Sequence, residues 1–467
     1  MSTGDLLAPS RAVWLELASD DHALTRLRPS GTEPVLPSSF AVGTAAQTAL
    51  AVVALAATEI GHVRNGLEQE VAVDMREAAL ECCGYFRLDG KAPQAWDRIA
   101  GLYACGPGGA GGWVRLHTNF AHHRDGALHL LGLPPGPEAT REQVAAALAA
   151  WTAESFEDAA ANAGVVAAAL RTFVRWDRHP QCTAIATLPL VELTRIGNAP
   201  PLAWPNLART DRPLAGLRVL DLTRILAGPA CGRTLAAYGA DVMLVNSPHL
   251  PNIEAIADLS RGKRSTLADL REEGDRGAFA IALAQAHVLL QSYRPGSLAA
   301  LGFGPDDAHR LRPGIVYASL SAYGRAGPWA QRRGFDSLVQ TATGFNDAEG
   351  AAAGATEPKA LPMQILDMAS GFLLAWGIEM ALLRQRDDGG SWHVQVSLAR
   401  TAQWLRSLGR VRAGFAAPRP DFSAQIESSD SGFGRLEALR HAARFSATPA
   451  LYTRPSVRPG ADRLAWS

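Results

Sequence analysis

The stretch Leu214–Asn246 places the strongest constraint on how this chain folds. Leu217–Leu222 is a short, nearly continuous apolar run, which is typical of a strand buried on both faces. Pro229 favours the first turn of a helix, because its missing N–H would have no partner there. We therefore predict a helix over Ala230–Tyr238, ended by a glycine, and a second strand over Val242–Val245. The result is a βαβ unit.

The loop Thr223–Gly228 of this unit lies at the carboxyl end of the first strand, where open parallel sheets bind ligands. Its glycines do not follow the G-x-G-x-x-G spacing, so a nicotinamide or flavin dinucleotide is not indicated. Strands and helices continue to alternate along the chain, which predicts an α/β fold with a doubly wound parallel sheet. The further predicted elements are a strand after RGKRSTL at Arg261–Leu267, helices over Gly277–Ala286 and Asp306–Leu311, and strands over His287–Gln291 and Ile315–Leu320.

A second organising feature is an internal repeat. Phe40–Ala79 aligns without gaps on Met363–Ala402, and both copies predict a long apolar helix, a turn with glycine, a short strand and another helix. Repeats of this length are typical of duplicated units. Asp367 of the later copy falls opposite Thr44 of the earlier one, so chemistry is expected at the later copy only.

The domain boundaries follow from these patterns and from shifts in composition. Asn198–Pro213 is rich in proline and is the clearest linker. We predict a segment 1–80 that packs on the large domain, a small α+β domain at 81–197, a linker at 198–213, a large α/β domain at 214–410 and a tail at 411–467. Within them we expect a strand over Trp113–His117 and helices over Glu142–Trp151, Glu154–Ala163, Val165–Phe173 and Phe433–Ala443.

Composition excludes several classes of partner. The chain has 45 Lys and Arg against 45 Asp and Glu, so no strong field favours nucleic acid or a membrane. Its five cysteines include the adjacent Cys82 and Cys83 and show no zinc spacing, which predicts free thiols in the cytoplasm. The acidic start has no secretory signal pattern. The uncharged stretch Ala41–Thr58 is rich in alanine and predicts a buried core helix rather than a membrane span.

Eight ordered motifs between residues 213 and 405 resemble the class III CoA-transferase family, which includes formyl-CoA and carnitine CoA-transferases. Residues 35–200 resemble the later part of the same family fold, so the order of segments looks permuted. The motifs are PLAGLRVLDLTRILAGP at 213–229, YGADVMLV at 238–245, RGKRS at 261–265, YRPGSLAALGFG at 293–304, IVYASLSAYGRAGPW at 315–329, RGFDSLVQTATG at 333–344, ILDMASG at 365–371 and GGSWHVQVSL at 389–398.

The resemblance implies an enzyme that transfers CoA between an acyl-CoA and a free carboxylic acid, with Asp367 as the nucleophile. The intermediates would be an aspartyl anhydride and an aspartyl-CoA thioester. Coenzyme A would be a substrate, with no permanently bound cofactor and no metal, and the family forms homodimers. A helix-capping role is the alternative for Asp367. The small Ser370 and Gly371 would let a thioester approach closely.

The resemblance also implies a set of CoA contacts. Lys263 and Arg264 would meet the charged end of CoA, although their spacing fits a solvated basic turn equally well. Tyr293 would stack on adenine or pack in the core. Ser247 and Ala300 stand where relatives carry arginines, so fewer phosphate contacts are expected. The full set is Leu226, Ala227, Lys263, Arg264, Ser292, Tyr293, Arg294, Arg333, Phe335 and Asp336.

Two other functions remain open at this point. The α-methylacyl-CoA racemases of the same superfamily use a histidine at the loop where this chain has Phe335, which cannot carry a proton, so the transferase is favoured. A non-catalytic acyl-CoA-binding protein is the third hypothesis. We interpret the group His117, His122, His123 and Asp125 as a surface loop rather than a metal site. The run Gly106–Gly112 predicts either a mobile flap or an ordinary flexible connection.

Overall fold

The computed structural model describes residues 3–466. The N-terminal segment holds two helices and a short parallel strand pair, followed by a third helix. Its elements are α1 (Thr3–Trp14), β1 (Leu27–Ser30), α2 (Val42–Asn65), β2 (Val71–Asp74) and α3 (Met75–Cys82).

A small α+β unit follows. Its sheet pairs β4 with β5 and β5 with β6, all antiparallel, and its helices pack on that sheet around an apolar core. The elements are β3 (Phe86–Leu88), β4 (Gly101–Ala104), β5 (Trp113–Leu116), α4 (Ala121–Leu130), α5 (Arg141–Leu148), α6 (Ala153–Asn162), β6 (Ala167–Ala169), α7 (Phe173–Asp177) and α8 (Pro180–Ile185).

The large unit begins with β7 (Glu192–Gly197), runs through an extended segment over 198–213 and then alternates strands with helices. The elements are β8 (Arg218–Leu222), α9 (Ala227–Ala237), β9 (Asp241–Asn246), α10 (Ile256–Leu259), β10 (Arg264–Leu267), α11 (Glu273–Leu283), β11 (Val288–Gln291), α12 (Pro305–Leu311), β12 (Val316–Ser321), α13 (Asp336–Ala342), α14 (Phe345–Ala352), α15 (Ile365–Asp388), β13 (Ser391–Ser397) and α16 (Leu398–Ser407).

The large sheet has the strand order β10-β9-β8-β11-β12-β13-β7 within residues 3–466. Its strands are parallel except for β7, which adds antiparallel to the edge. The predicted α/β class with a doubly wound parallel sheet is therefore confirmed. The strand order reverses between β8 and β11, and the crevice at such a switch point is where open parallel sheets receive ligands.

The core is centred on α2 and α15, which pack against each other. By length and composition both helices could cross a membrane. However, 89% of the apolar 18-residue stretch of α2 and 100% of that of α15 are buried inside the protein. A helix that is apolar all round and enclosed by protein is a typical core helix. In the gap-free alignment of the repeat, α2 and α15 have the same boundaries. In the same alignment β2 falls on the end of β13, and α3 begins where α16 begins.

Two predicted helices are wrong. Within Val165–Phe173 the chain forms β6, because Gly164 ends α6 in a left-handed conformation and Ala167–Ala169 then pairs with β5. The stretch Phe433–Ala443 forms strands, because its buried side chains alternate and its backbone pairs with neighbouring strands. The tail elements are β14 (Ile426–Ser431), β15 (Gly434–Leu439) and β16 (Ala443–Phe445), and β15 and β16 pair with β3 and β2.

Candidate active site

Asp367 lies in the first turn of α15, and its side chain stands at the junction of two cavities. The residue is 7% exposed. The helix begins after Gln364 with no side-chain capping hydrogen bond, so the capping alternative for Asp367 finds no support among the described residues. The carboxyl group is therefore buried in the protein but reachable from both cavities.

A second carboxyl group controls the environment of Asp367. Asp336 begins α13 and is 1% exposed, and its Oδ2 accepts a 2.9 Å hydrogen bond from the backbone N–H of Asp367. Burial raises the pKa of Asp336 to about 7, although Gln340 donates to its other oxygen and lowers it. Burial and the charge of Asp336 together raise the pKa of Asp367 well above its ordinary value. The negative charge of one carboxylate therefore opposes ionisation of the other.

The first cavity is rich in cations, and we call it the arginine cavity. It has a volume of about 390 Å³ and is lined by Arg224, Arg294, Arg332 and Arg333 together with Asp367. Burial lowers the pKa of Arg333, and the charge of Arg294 lowers it further. A cluster of like charges at the switch point of the sheet suits an anionic ligand.

Most of the residues predicted to contact CoA line the arginine cavity. The loop after β8 contributes Leu226 and Ala227 and the loop after β11 contributes Ser292, Tyr293 and Arg294, while Arg333 and Phe335 come from the segment before α13. Tyr293 also packs against the apolar core behind β11, as the packing alternative expects, and its stacking on adenine stays a prediction. Asp336 lines the second cavity instead.

The structure corrects the prediction for Lys263 and Arg264. The side chain of Lys263 is fully buried, and its Nζ donates to Asp221 at 2.7 Å and to the carbonyl oxygen of Pro229 at 2.9 Å. Arg264 pairs with Asp241 at the opposite, amino edge of the strands. Neither residue lines the arginine cavity. Lys263 neutralises a buried acid of β8, and the cations of the cavity come from other loops.

The loop after β8 carries local backbone strain. Ile225 has a φ of 79°, a region that is costly for a β-branched residue. Ile225 lines both cavities, and its neighbour Arg224 lines the arginine cavity. Strained conformations of this kind cluster at ligand sites. Hydrophobic patterning carries no information about this conformation.

The second cavity contains several acids, and we call it the acid-lined cavity. It has a volume of about 620 Å³, and Asp97, Glu254, Asp336 and Asp367 lie along it. Part of its wall comes from the N-terminal segment and the small unit rather than from the large sheet. The aromatic and sulfur-containing side chains of this wall are those of Cys82, Cys83, Phe86, Trp96, Phe120, Phe335, Met363 and Met368.

His117 is buried at the site, so its interpretation as part of a surface loop is wrong. It follows β5 in the small unit, lines the acid-lined cavity and stacks on Phe335 with ring centres 3.9 Å apart. Burial lowers the pKa of His117 to about 3, with a further contribution from His123. The imidazole is therefore neutral near pH 7. Its contact with Phe335 places a proton acceptor beside the loop whose own residue cannot act as one.

His122 and His123 lie on α4 and line the arginine cavity, so they are not part of a surface loop. Their rings lie 4.1 Å apart and both contact Phe120. Within residues 3–466, no group of three or more His, Cys, Asp and Glu side chains is arranged to hold a metal ion.

The structure accounts differently for two glycine-containing segments, the run Gly106–Gly112 and Gly371. The run Gly106–Gly112 forms the hairpin between β4 and β5 and lines neither cavity, since Gly111 packs against the backbone of Trp151 and Cys105. The flap hypothesis is therefore not supported. Gly371 lies where a Cβ atom would approach the carbonyl oxygen of Ala227 to 2.5 Å, so it is required by the close approach of α15 and α9 rather than by a thioester.

The chain is similar in sequence to known acyl-CoA transferases. An acetyl-coenzyme A transferase of Hypoxylon pulicicidum is 37% identical over 47% of this chain and 39% of its own length. A probable fatty acyl-CoA transferase of Mycobacterium tuberculosis, Rv3272, is 34% identical over 45% of this chain and 57% of its own length. The chain thus spans about half the length of these relatives.

A crystal structure of Rv3272 matches with a TM-score of 0.39 and 34% identity, over 42% of this chain and 58% of that one. The model of CoA-transferase family III matches residues 214–421, the segment that carries Asp367, Asp336 and most of the arginine cavity. Residues 214–421 are thus similar to CoA-transferase family III, over a little under half of the chain.

Proposed function

We propose that this protein transfers CoA between an acyl-CoA and a free carboxylic acid, with Asp367 as the covalent nucleophile. The observation that carries the proposal is the position of Asp367, which among the described carboxyl groups is the one that lines both the arginine cavity and the acid-lined cavity. The arginine cavity would hold the phosphates of CoA, because guanidinium groups form strong, often paired hydrogen bonds to phosphate. The acyl group would extend past Asp367 into the acid-lined cavity.

The chemistry proceeds by exchange between carboxylates and a thiolate. A carboxylate oxygen of Asp367 attacks the thioester carbonyl, the C–S bond breaks, and the products are an aspartyl-acyl anhydride and the CoA thiolate. The thiolate then attacks the aspartyl carbonyl of the anhydride, which releases the first acid and leaves an aspartyl-CoA thioester. The acceptor carboxylate repeats these two steps in reverse. No net proton is taken up or released.

The raised pKa of Asp367 serves this exchange. A desolvated carboxylate is a stronger nucleophile than a hydrated one, and the anhydride removes its charge from the buried site. As a consequence, Asp367 is protonated in part of the enzyme at low pH, and that part is inactive.

The relatives named succinyl-CoA:glutarate CoA-transferase and acetyl-CoA:oxalate CoA-transferase transfer CoA between carboxylic acids, as their names state.

A transfer assay tests the proposed function directly. The purified protein would be mixed with an acyl-CoA and isotopically labelled acids, and new labelled acyl-CoA would be followed by mass spectrometry. We expect labelled thioester to form only when both donor and acceptor are present. Binding of CoA without exchange for any donor and acceptor would contradict the proposal.

Asp336→Asn is expected to move the acid limb of the pH–rate profile to lower pH. The substitution keeps an oxygen that accepts the N–H of Asp367 but removes the negative charge that raises the pKa of Asp367. Activity rises with pH as Asp367 ionises, so the variant should reach its plateau earlier. The matched control is Asp347→Asn on α14, a half-buried acid that lines neither cavity. An unchanged profile, or a shift to higher pH, would contradict the coupling.

One observation favours a second function, acyl-CoA isomerisation. His117 and Asp367 line the same cavity, and racemisation needs acid–base groups on both sides of the α-carbon. An assay in heavy water without an acceptor acid separates the two functions. Deuterium at the α-carbon that is lost in His117→Gln would support the isomerase, whereas its absence alongside CoA exchange would leave the transferase.

A further inference from the structure

We propose that the acid-lined cavity selects acids whose body carries no negative charge beyond the reacting carboxyl group. The favoured substrates would be apolar or aromatic monocarboxylic acids, and dicarboxylic acids would be rejected. This inference rests on the proposed function, because it assumes that the acyl group of the thioester enters that cavity.

The charges along the acid-lined cavity carry the inference. Asp97 and Glu254 line it in addition to the pair Asp336 and Asp367, and within the described part of the chain no lysine or arginine side chain lines it. The arginine cavity, in contrast, is lined by four arginines. The protein thus separates the two ends of an acyl-CoA by charge, with cations at the cofactor end and acids at the acyl end.

Two arginines contact residues of the cavity wall without lining the cavity themselves. The guanidinium of Arg115 lies 5.1 Å from the ring centre of Trp96, on a side chain that is 7% exposed. Arg124 approaches Asp97 to 3.9 Å and binds Asp125 at 2.9 Å. Neither arginine lines the cavity, so neither is placed to pair with a substrate carboxylate.

Two of the four amide side chains that line the cavity, those of Asn119 and Gln94, bind their own loops. The Nδ2 of Asn119 donates to the carbonyl oxygen of Ala95 at 2.9 Å, and its Oδ1 accepts from the backbone of Asp97 at 3.0 Å. The Nε2 of Gln94 donates to the carbonyl oxygen of Trp96 at 3.2 Å. A second carboxylate would lose part of its water here and find no lysine or arginine side chain along the described wall, which is unfavourable for a charged group. An aromatic or aliphatic body would instead contact Trp96, Phe86 and Met368.

The size of the selectivity follows from the placement of like charges. Like charges brought together at an interface cost several kcal/mol, and each tenfold step in rate or affinity corresponds to about 1.4 kcal/mol. We therefore expect a monoacyl-CoA to react at least about 100-fold faster than the diacid thioester of the same chain length.

The experiment compares matched pairs of acyl-CoA: butyryl with succinyl, valeryl with glutaryl, and hexanoyl with adipoyl. The rate of adduct formation at Asp367 would be followed by intact mass after trapping with hydroxylamine. Within each reactive pair the monoacyl thioester should be faster, and the monomethyl ester of the diacyl thioester, which is uncharged, should recover most of the rate. Equal rates within a pair, or a faster diacid, would overturn the inference while leaving the proposed function intact. Absence of an adduct with every thioester would contradict the proposed function itself.

A charge reversal sharpens the test. Glu254 lies at the exposed rim of the cavity, and its Oε2 accepts only the backbone N–H of Gln94 among the hydrogen bonds described for residues 3–466. Glu254→Lys should shift the ratio of rates about tenfold toward the diacid. Glu357→Lys makes the same change at an exposed acid outside both cavities and should leave the ratio unchanged. An equal shift in both variants would show a general field effect and would contradict selection by the cavity.

Discussion

Asp367→Asn is expected to lower CoA transfer by at least about 10³-fold, which is the scale seen when a covalent nucleophile is removed. The amide cannot form an anhydride, so both covalent intermediates disappear together. Binding of CoA should persist, because Arg224, Arg294 and Arg333 are unchanged. Initial rates of transfer and the affinity for CoA, measured on the same preparation, check both parts of this result.

The control for this variant is folding. Burial raises the pKa of Asp367, so ionisation of this carboxyl group opposes the folded state. The stability that a raised pKa contributes is present at low pH and is lost as the pH rises through the folded value. Asp367→Asn should therefore be at least as stable as the wild type at pH 8. A folded variant that retains transfer would contradict the nucleophile assignment, and a variant less stable than the wild type at pH 8 would contradict the stability expectation.

Arg233→Met is expected to reduce the free energy of unfolding by about 3–5 kcal/mol, the cost of breaking a buried ion pair from one side. Arg233 lies on α9 and is 2% exposed, and it binds Glu81 of α3 at 3.1 Å and Asp258 of α10 at 2.5 Å. Its removal leaves two acids in the interior without this partner. Urea denaturation followed by circular dichroism measures the loss.

The same cluster predicts a dependence of stability on pH. His441 from the tail contacts Glu81 at 3.0 Å. Burial opposes ionisation of Glu81, but His441 and Arg233 outweigh it and lower the pKa of Glu81 to about 2. A lowered pKa contributes stability when the pH is above the unfolded-state pKa, and this stability is lost as the pH falls toward 2.

Because Glu81 and Arg233 are in contact, the double variant Glu81→Gln with Arg233→Met should lose less stability than the two single losses added together.

Arg444→Met is the matched control for the buried cluster. Arg444 pairs with Glu77 through two hydrogen bonds of 2.5 and 2.7 Å, but its side chain is 67% exposed. Exposed ion pairs contribute at most about 1 kcal/mol. A loss at Arg233 no larger than the loss at Arg444 would contradict the role given to the buried cluster.

The regular part of the large unit could be predicted from local sequence. The apolar run at Leu217–Leu222 and the proline at 229 are local signals, and the strand and helix they predict appear within a few residues of the expected ends. The repeat was equally visible, because α2 and α15 keep the same length and the same glycine after the helix. These features depend on neighbours in the chain.

Which side chains line the two cavities depends on residues that are distant in the chain and close in space, and local sequence patterns predict such contacts poorly. Lys263 looked like a solvent-exposed cation because its buried partner, Asp221, lies on another strand. His117 and Trp96 come from a unit that precedes the large sheet in the chain, and no local pattern predicts how that unit packs on the sheet. The stretches predicted as helices at Val165–Phe173 and Phe433–Ala443 failed for the same reason, since pairing with distant strands decides their structure.

The central claim is that Asp367 becomes covalently acylated, and trapping with hydroxylamine tests it most directly. Wild type, Asp367→Asn and Asp336→Asn would each be incubated with a panel of acyl-CoA thioesters and hydroxylamine, digested, and searched by mass spectrometry for an aspartyl hydroxamate. We predict a hydroxamate at Asp367 in the wild type and in Asp336→Asn, and none in Asp367→Asn. A hydroxamate at another residue, or none with any thioester despite measurable CoA exchange, would contradict the covalent role of Asp367.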